Sequence, residues 1–145
     1  MPLKLHETRT LNVPQRTIYE VVANVQAYDK FLPWCLKSTI ISRDDKEMIA
    51  DLTIGYKNFK ETYRSHVLLS PYHEIKVSSH PGPLKYLYTN WHFTPITENS
   101  TKIIFSIEFS LKSRLLQKAL KPIFLKSMQK IVGAFQERVI SVSTS

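Results

Sequence analysis

The chain has 145 residues, a single cysteine and a formal net charge of +8. That length predicts one domain over residues 1–145 with a core that needs no disulfide staples, and Cys35 alone excludes an intramolecular disulfide or a cysteine-based metal cluster. The 43 % apolar and 22 % charged fractions are ordinary for a globular domain, whereas the basic surplus favours anionic partners such as phospholipid headgroups, nucleic acid or a ribosome.

No apolar run approaches the roughly 20 residues that span a bilayer. Met1-Pro2-Leu3-Lys4-Leu5 runs straight into strand-like sequence, with no visible signal or transit segment, although one could have been cut away. Leu3 to Val13 reads as a strand. Pro14 stands where a helix prefers to begin, and Ile18, Val21, Val22 and Val25 supply its apolar face, with a break near Asn24. Ala27 to Leu32 reads as a short second helical piece.

Strand candidates then follow at about ten-residue spacing: Leu36–Arg43, Glu47–Tyr56, Glu61–Ser70, Glu74–Ser79, Leu84–Thr94 and Lys102–Leu111. Turn chemistry separates them at Asp44-Asp45-Lys46, Lys57-Asn58, Pro71-Tyr72-His73, Pro81-Gly82-Pro83 and Glu98-Asn99-Ser100. Tight connections at this spacing predict an antiparallel meander. Alternation gives the sheet one apolar face: Ile103, Phe105, Ile107, Phe109 and Leu111 point one way, and Ser106, Glu108 and Ser110 the other. Leu87, Trp91 and Phe93 likewise oppose Tyr86, Tyr88, Asn90 and His92, while Tyr63, Ser65, Val67 and Leu69 oppose Thr62, Arg64 and His66.

The cover for that face is the last stretch, Ser113 to Val142. Leu116, Leu120, Phe124, Met128, Ile131 and Phe135 fall at spacings of three and four, one stripe of a helix. Pro122 predicts a kink or restart inside it. From Lys112 to Arg138 this region carries seven basic residues against Glu137 alone, so +6 of the net charge is concentrated here. The resulting expectation is an α+β domain whose curved sheet grips its last helix.

Chemistry is sparse. His6, His66, His73, His80 and His92 lack close metal-ligand spacing, and Gly55, Gly82 and Gly133 are too few for a phosphate-binding loop. Cys35 has no activating neighbour in sequence, and Asp44, Asp45 and Glu47 form no convincing carboxylate pair. The residues therefore predict a chain that is not an enzyme and holds no metal or catalytic cofactor. What stands out is the aromatic surface aimed at one interior: Trp34, Tyr63, Trp91, Phe93, Phe105, Phe109, Phe124 and Phe135. These pack a solid core or line a cavity, and periodicity does not distinguish the two.

The segments Tyr28-Asp29-Lys30-Phe31-Leu32-Pro33-Trp34-Cys35, Ala50-Asp51-Leu52-Thr53-Ile54-Gly55-Tyr56 and Tyr63-Arg64-Ser65-His66-Val67 occur in this order. Gly82-Pro83-Leu84, Trp91-His92-Phe93, Phe105-Ser106-Ile107-Glu108-Phe109 and Ala134-Phe135-Gln136-Glu137-Arg138 follow. Together these segments, spread over nearly the whole chain, resemble the coenzyme Q-binding protein family within the START-like, polyketide-cyclase-like superfamily. The resemblance implies a helix-grip fold with a hydrophobic tunnel between sheet and C-terminal helix, and noncatalytic binding of ubiquinone in support of respiratory electron transfer and ubiquinone synthesis. Such a protein works peripherally at the matrix side of the mitochondrial inner membrane in a eukaryote, or in the cytoplasm and at the inner membrane in a bacterium. Quinone-biosynthesis or respiratory proteins are then possible partners.

On that reading the tunnel is lined from the first half of the chain by Phe31, Trp34, Leu52, Ile54, Tyr63 and Val67. Leu87, Trp91, Phe93, Phe105 and Phe109 continue it from the later strands, and Leu116, Leu120, Phe124, Met128 and Ile131 from the helix. Tyr63, Ser65, Thr89 and Lys37 are the polar candidates for a quinone ring, and Lys118 and Lys121 the contacts to an anionic membrane. The rival reading comes from bacterial relatives of the same family that associate with ribosomes, since a basic chain can bind RNA phosphates by charge. The lysines, however, are scattered and not interleaved with exposed aromatics, which argues against nucleic acid. A small-molecule cyclase or hydrolase on the same fold is the third reading, and the convergent polar residues it needs are missing.

Overall fold

A computed structural model describes residues 2–32, 34–56, 59–82, 84–128 and 130–143. Strand β1 (Leu3–Leu11) leads to α1 (Gln15–Ala23) and a short 3-10 helix over Val25–Lys30. Six strands follow: β2 (Cys35–Arg43), β3 (Glu47–Tyr56), β4 (Phe59–Ser70), β5 (Glu74–Ser79), β6 (Leu84–Thr97) and β7 (Ser100–Leu111). The chain then enters α2 (Arg114–Met128) and α3 (Ile131–Ser143). All seven strands form one sheet in the order β1-β7-β6-β5-β4-β3-β2, antiparallel throughout. The meander therefore holds, and β1 closes it by pairing with β7, Leu5 opposite Ile107.

The sheet bends where extra residues enter the ladder. Register shifts lie between Cys35 and Lys37 and between Ile40 and Ser42 in β2, and at both ends of β6. An extra residue increases local twist and kinks its strand, which wraps the sheet around what it covers. Pro95 sits at one such irregularity, opposite Thr101, where a missing N–H is tolerated.

Several boundaries differ from the sequence expectation. Pro14 caps α1 from outside the helix, since its extended backbone (φ −61°, ψ 147°) lies in the region of an N-cap and not of a first turn. The break at Asn24 is where expected, and the 3-10 piece begins at once, at Val25. Strand β4 begins two residues early, β6 extends through Pro95 to Thr97, and β7 begins at Ser100, because the tight turn at Glu98 and Asn99 lets both strands pair further. The Lys57-Asn58 turn and Pro83 lie outside the described residues.

The expected interruption of the covering helix is displaced. Pro122 lies inside α2, and the chain restarts as α3 at Ile131. A proline removes one hydrogen bond and crowds the preceding carbonyl, which bends a helix without necessarily ending it. The start of α2 is instead pinned to the sheet. Ser113 Oγ accepts from the Leu116 N–H at 3.1 Å, and the buried Gln117 Oε1 accepts from the Leu111 N–H at 2.8 Å and the Ser110 hydroxyl at 3.2 Å.

The core lies between the concave sheet face and the helices. Met48, Val67, Ile75, Phe93, Ile103 and Phe105 come from the strands, Ile18 and Val22 from α1, and Val132, Phe135 and Val139 from α3. Helix α3 thus supplies the grip, packing also against α1. The opposite sheet face is polar and ion-paired: Arg64 holds Asp51 at 2.8 Å, His66 meets Glu47 at 2.8 Å and His92 meets Glu74 at 2.9 Å. These histidines are therefore surface partners of carboxylates.

Candidate functional site: an apolar cavity under the last helix

The curved sheet does not close completely on its helices. A cavity of about 210 Å³ remains between the concave faces of β2–β7, the 3-10 helix and the start of α3. Strand alternation places its wall: each strand contributes every second side chain, and the bends bring those rows to a common centre. Leu52 and Ile54 come from β3, Tyr63, Ser65 and Val67 from β4, and Ile75 and Val77 from β5. Leu87, Thr89 and Trp91 come from β6, and Phe105, Ile107 and Phe109 from β7. Ile131 and Phe135 close it from α3, and Tyr28, Leu32, Trp34 and Cys35 from the segment leading into β2.

Aromatic rings build the closed part. Trp91 meets Phe105 at 4.4 Å between centroids and Phe135 at 5.0 Å. Tyr28 meets Phe135 edge to face at 5.3 Å. Thr89, Ile107, Phe109, Trp34 and Ile54 are half-buried, so the cavity also reaches solvent. A volume of 210 Å³ is below the roughly 300–1,000 Å³ of typical small-molecule sites. It admits a ring or part of a chain, and a longer ligand must continue outside.

No described side chain on this wall is charged, and none is a histidine. The ionisable groups present are kept neutral. Burial pushes the Tyr28 and Tyr63 phenols well above the ordinary tyrosine range and the Cys35 thiol up to about 11. The nearby Asp29 charge reinforces the shift at Cys35, and a backbone hydrogen bond at Lys37 only partly offsets it. Cys35 is thus a buried thiol without activation. Among the described residues, no group of three His, Cys, Asp or Glu gathers where it could hold a metal ion.

Of the residues expected on the tunnel wall, Trp34, Leu52, Ile54, Tyr63, Val67, Leu87, Trp91, Phe105, Phe109 and Ile131 meet at this cavity. Three expected residues do not. Phe93 is 2 % exposed and packs toward Tyr19 of α1 at 5.9 Å, because the bend of β6 carries it past the cavity. Phe31 stands outside Tyr28 and Phe135, at 5.8 and 5.2 Å, with the Arg138 guanidinium 5.5 Å above its ring. Leu116 is half-buried against the core beside the Gln117 anchor. The side chains of Leu120, Phe124 and Met128 lie outside the described residues.

Ser65 and Thr89 also reach the wall, whereas Lys37 is exposed and does not. Sequence reasoning left out Tyr28, Leu32 and Ile75 from the wall. Tyr28 sits in a short 3-10 helix with no period to read. Lys118 and Lys121 are exposed on α2 beside Leu115, which is 81 % exposed. No helix among the described residues is long and apolar enough to cross a membrane.

Comparison with known proteins places this geometry. A ribosome association toxin from Rickettsia prowazekii is 30 % identical over 144 residues, covering 97 % of this chain and 98 % of that protein. A protein from Xenopus laevis named mitochondrial coenzyme Q-binding protein COQ10 homolog B is 27 % identical over 140 residues, covering 94 % of this chain and 57 % of that one. Among solved structures, the Zhui aromatase/cyclase of a Streptomyces species superposes with a TM-score of 0.83 at 14 % identity, over 96 % of this chain and 94 % of that one. A START superfamily protein from Mycobacterium smegmatis superposes with a TM-score of 0.81 at 14 % identity, over 96 % and 98 %. At such identities the structures establish the shared START-like fold alone. The model of the family described as polyketide cyclase/dehydrase and lipid transport matches residues 11–136, and the chain belongs to that family.

Proposed function

We propose that this protein is a noncatalytic carrier that takes ubiquinone, or a closely related prenylated quinone, into the cavity and presents it at a membrane surface. The observation that carries the reading is the cavity wall: predominantly aliphatic and aromatic residues, with no charged side chain among those described. Each CH₂ of an isoprenoid tail removed from water contributes about 0.8 kcal/mol, so such a wall gains affinity without any specific polar contact. No described wall residue is a carboxylate, histidine or lysine able to move a proton, which supports binding over catalysis. The Xenopus relative's printed name supports the quinone as ligand.

The tunnel on this reading comprises the ten residues that meet at the cavity, continued past Leu116 toward Leu120, Phe124 and Met128. A prenylquinone exceeds the enclosed volume, so its remaining tail leaves along α2. The exposed Leu115, Lys118 and Lys121 face the bilayer there, each lysine contributing about 1 kcal/mol near anionic lipid. The site of action is the matrix side of the mitochondrial inner membrane in a eukaryote, or the cytoplasmic side of a bacterial inner membrane, in support of respiration and ubiquinone synthesis.

A second reading, association with a ribosomal subunit, is favoured by the name of the Rickettsia relative and by the basic α2. Organic extraction and native mass spectrometry of freshly purified protein test the two together with ribosome cosedimentation. A co-purified prenylquinone is the expected result. Salt-resistant cosedimentation without any bound quinone overturns the lipid reading.

A further inference from the structure

The outer face of the sheet carries a recess of its own, on the side away from the cavity. In the ladder Asn90 of β6 lies between Ser106 of β7 and Lys76 of β5. One row along, Tyr88 lies between Glu108 and Ser78, with Lys4 of β1 opposite Glu108. The short serine and asparagine side chains stand among longer ones, and the dip over them is a groove of about 630 Å³. That volume is typical of small-molecule sites. Asn90 helps line the groove, and its Oδ1 is the one buried side-chain polar atom among the described residues with no hydrogen-bond partner.

An unmet acceptor is unfavourable, and only a donor corrects it. An oxidised quinone carries no donor, so this groove is no annex of the cavity. The groups around Asn90 say what else a ligand should carry. The Tyr88 ring is 54 % exposed and stacks at 5.2 Å on Tyr86, whose hydroxyl donates to Glu108 at 2.8 Å. It thus presents a braced aromatic face. Lys4 and Lys76 line the groove too. Their pairings, with Glu108 at 3.5 Å and Glu74 at 3.8 Å, are exposed and weak, so both ammonium groups can turn to an anion. Glu74 keeps a closer partner in His92 at 2.9 Å. Tyr88 and these lysines come from three strands, so the sheet, and no single stretch of sequence, sets an aromatic among cations.

We propose that this groove binds an adenine nucleotide, its base stacked on Tyr88, its 6-amino group donating to Asn90 Oδ1 and its phosphate drawn to Lys4 and Lys76. An asparagine amide matches the adenine edge, accepting from the amino group and donating to the ring nitrogen beside it. Stacking tolerates any base, so Asn90 supplies the selectivity. Oδ1 is closed off in the free protein, so binding displaces a neighbour. Lys76, opposite Asn90, is the long side chain whose move to the phosphate opens the amide. The nucleotide is either free or an unpaired residue of RNA, since both present the same groups. The proposal stands apart from the carrier reading and does not depend on it.

Calorimetric titration of the full chain uses AMP, adenosine, oligoadenylate and IMP, in which an oxo group replaces the 6-amino group. Wild type should bind AMP about tenfold more tightly than IMP, and Asn90→Ala should bind the two equally. Tyr88→Ala should weaken both, and Lys4→Gln combined with Lys76→Gln should weaken AMP but not adenosine. Because the amide is unmet in the free protein, Asn90→Ala should not lower the melting temperature, which separates lost binding from lost fold. Oligoadenylate bound far more tightly than AMP assigns the groove to RNA, and equal affinity assigns it to the free nucleotide. No binding of AMP or oligoadenylate at millimolar concentration overturns the proposal. So does equal binding of AMP and IMP by wild type, or an AMP preference that survives Asn90→Ala. Should Asn90→Ala fail to fold, the Asn90 side-chain amide resonances of wild type decide: a shift with AMP and not with IMP supports the site, and no shift overturns it.

Discussion

Trp91 of β6 and Phe135 of α3 meet edge to face, with ring centroids 5.0 Å apart and planes at 72°. This contact joins the sheet to the last helix at the cavity wall, so one indole both holds the fold together and shapes the site. Trp91→Ala should cost about 3–5 kcal/mol in urea unfolding, since a buried ring of this size leaves a large void. The milder Trp91→Phe should retain the fold and retain less quinone after purification. Melts and extracted quinone are to be measured on one sample. Ligand loss that only tracks unfolding would make Trp91 an ordinary core residue.

Gln117 anchors α2 through the Leu111 N–H, 2.8 Å from its side-chain oxygen. Gln117→Ala strands that buried donor and should destabilise the protein by about 1–3 kcal/mol. Hydrogen exchange at the Leu111 amide should accelerate more than exchange in β3 or β4. Uniform acceleration would mean that the anchor is not local.

Charge reversal at Lys118 and Lys121 tests the exposed face of α2. Changing both to Glu should weaken docking to cardiolipin-containing vesicles and leave quinone binding in detergent nearly intact. The difference should shrink with added salt, because exposed charges are screened over about 8–10 Å at physiological ionic strength. Vesicle binding that is indifferent to the reversal places the membrane contact elsewhere. Vesicle binding alone does not establish quinone carriage, since any strongly basic protein adheres to anionic lipid.

Three buried acids set the alkaline behaviour. Folding raises the Cys35 thiol from 9.0 to about 11, and raises the Tyr28 and Tyr63 phenols too. Each therefore binds its proton more tightly folded than unfolded. Their contribution to stability is fully present below the unfolded values and is lost as pH rises through the folded ones. Stability should fall progressively above about pH 9. At pH 8 Cys35 should react with a thiol reagent at least roughly a hundredfold more slowly than in urea, as its thiolate fraction predicts. Fast native reactivity would show that the thiol is open to solvent.

Much of the fold was legible because strands and helices print their periods on the chain. Two-residue alternation placed Trp91, Phe105 and Tyr63 on the inner face, and the turn residues set a meander whose neighbours are consecutive. Phe93 shows where this legibility stops. It shares a face with Trp91, yet lies against Tyr19 of α1 and not at the cavity. Alternation reports the side of a sheet, and only the bend reports which inner residues face a void.

The sequence by itself therefore determined the antiparallel sheet, its apolar face and the basic cover. These depend on local propensity and on which side chains avoid water. The tertiary structure alone decided that the cover runs through Pro122 as α2 and restarts as α3 at Ile131. It alone decided that Tyr28, from a 3-10 helix with no readable period, joins Phe135 on the cavity wall. It also decided that Ser65, on the same wall, donates its hydroxyl to the Ala50 carbonyl. Cavities are differences between the space that surrounding elements enclose and the space their side chains fill. Such differences exist only once distant segments have packed.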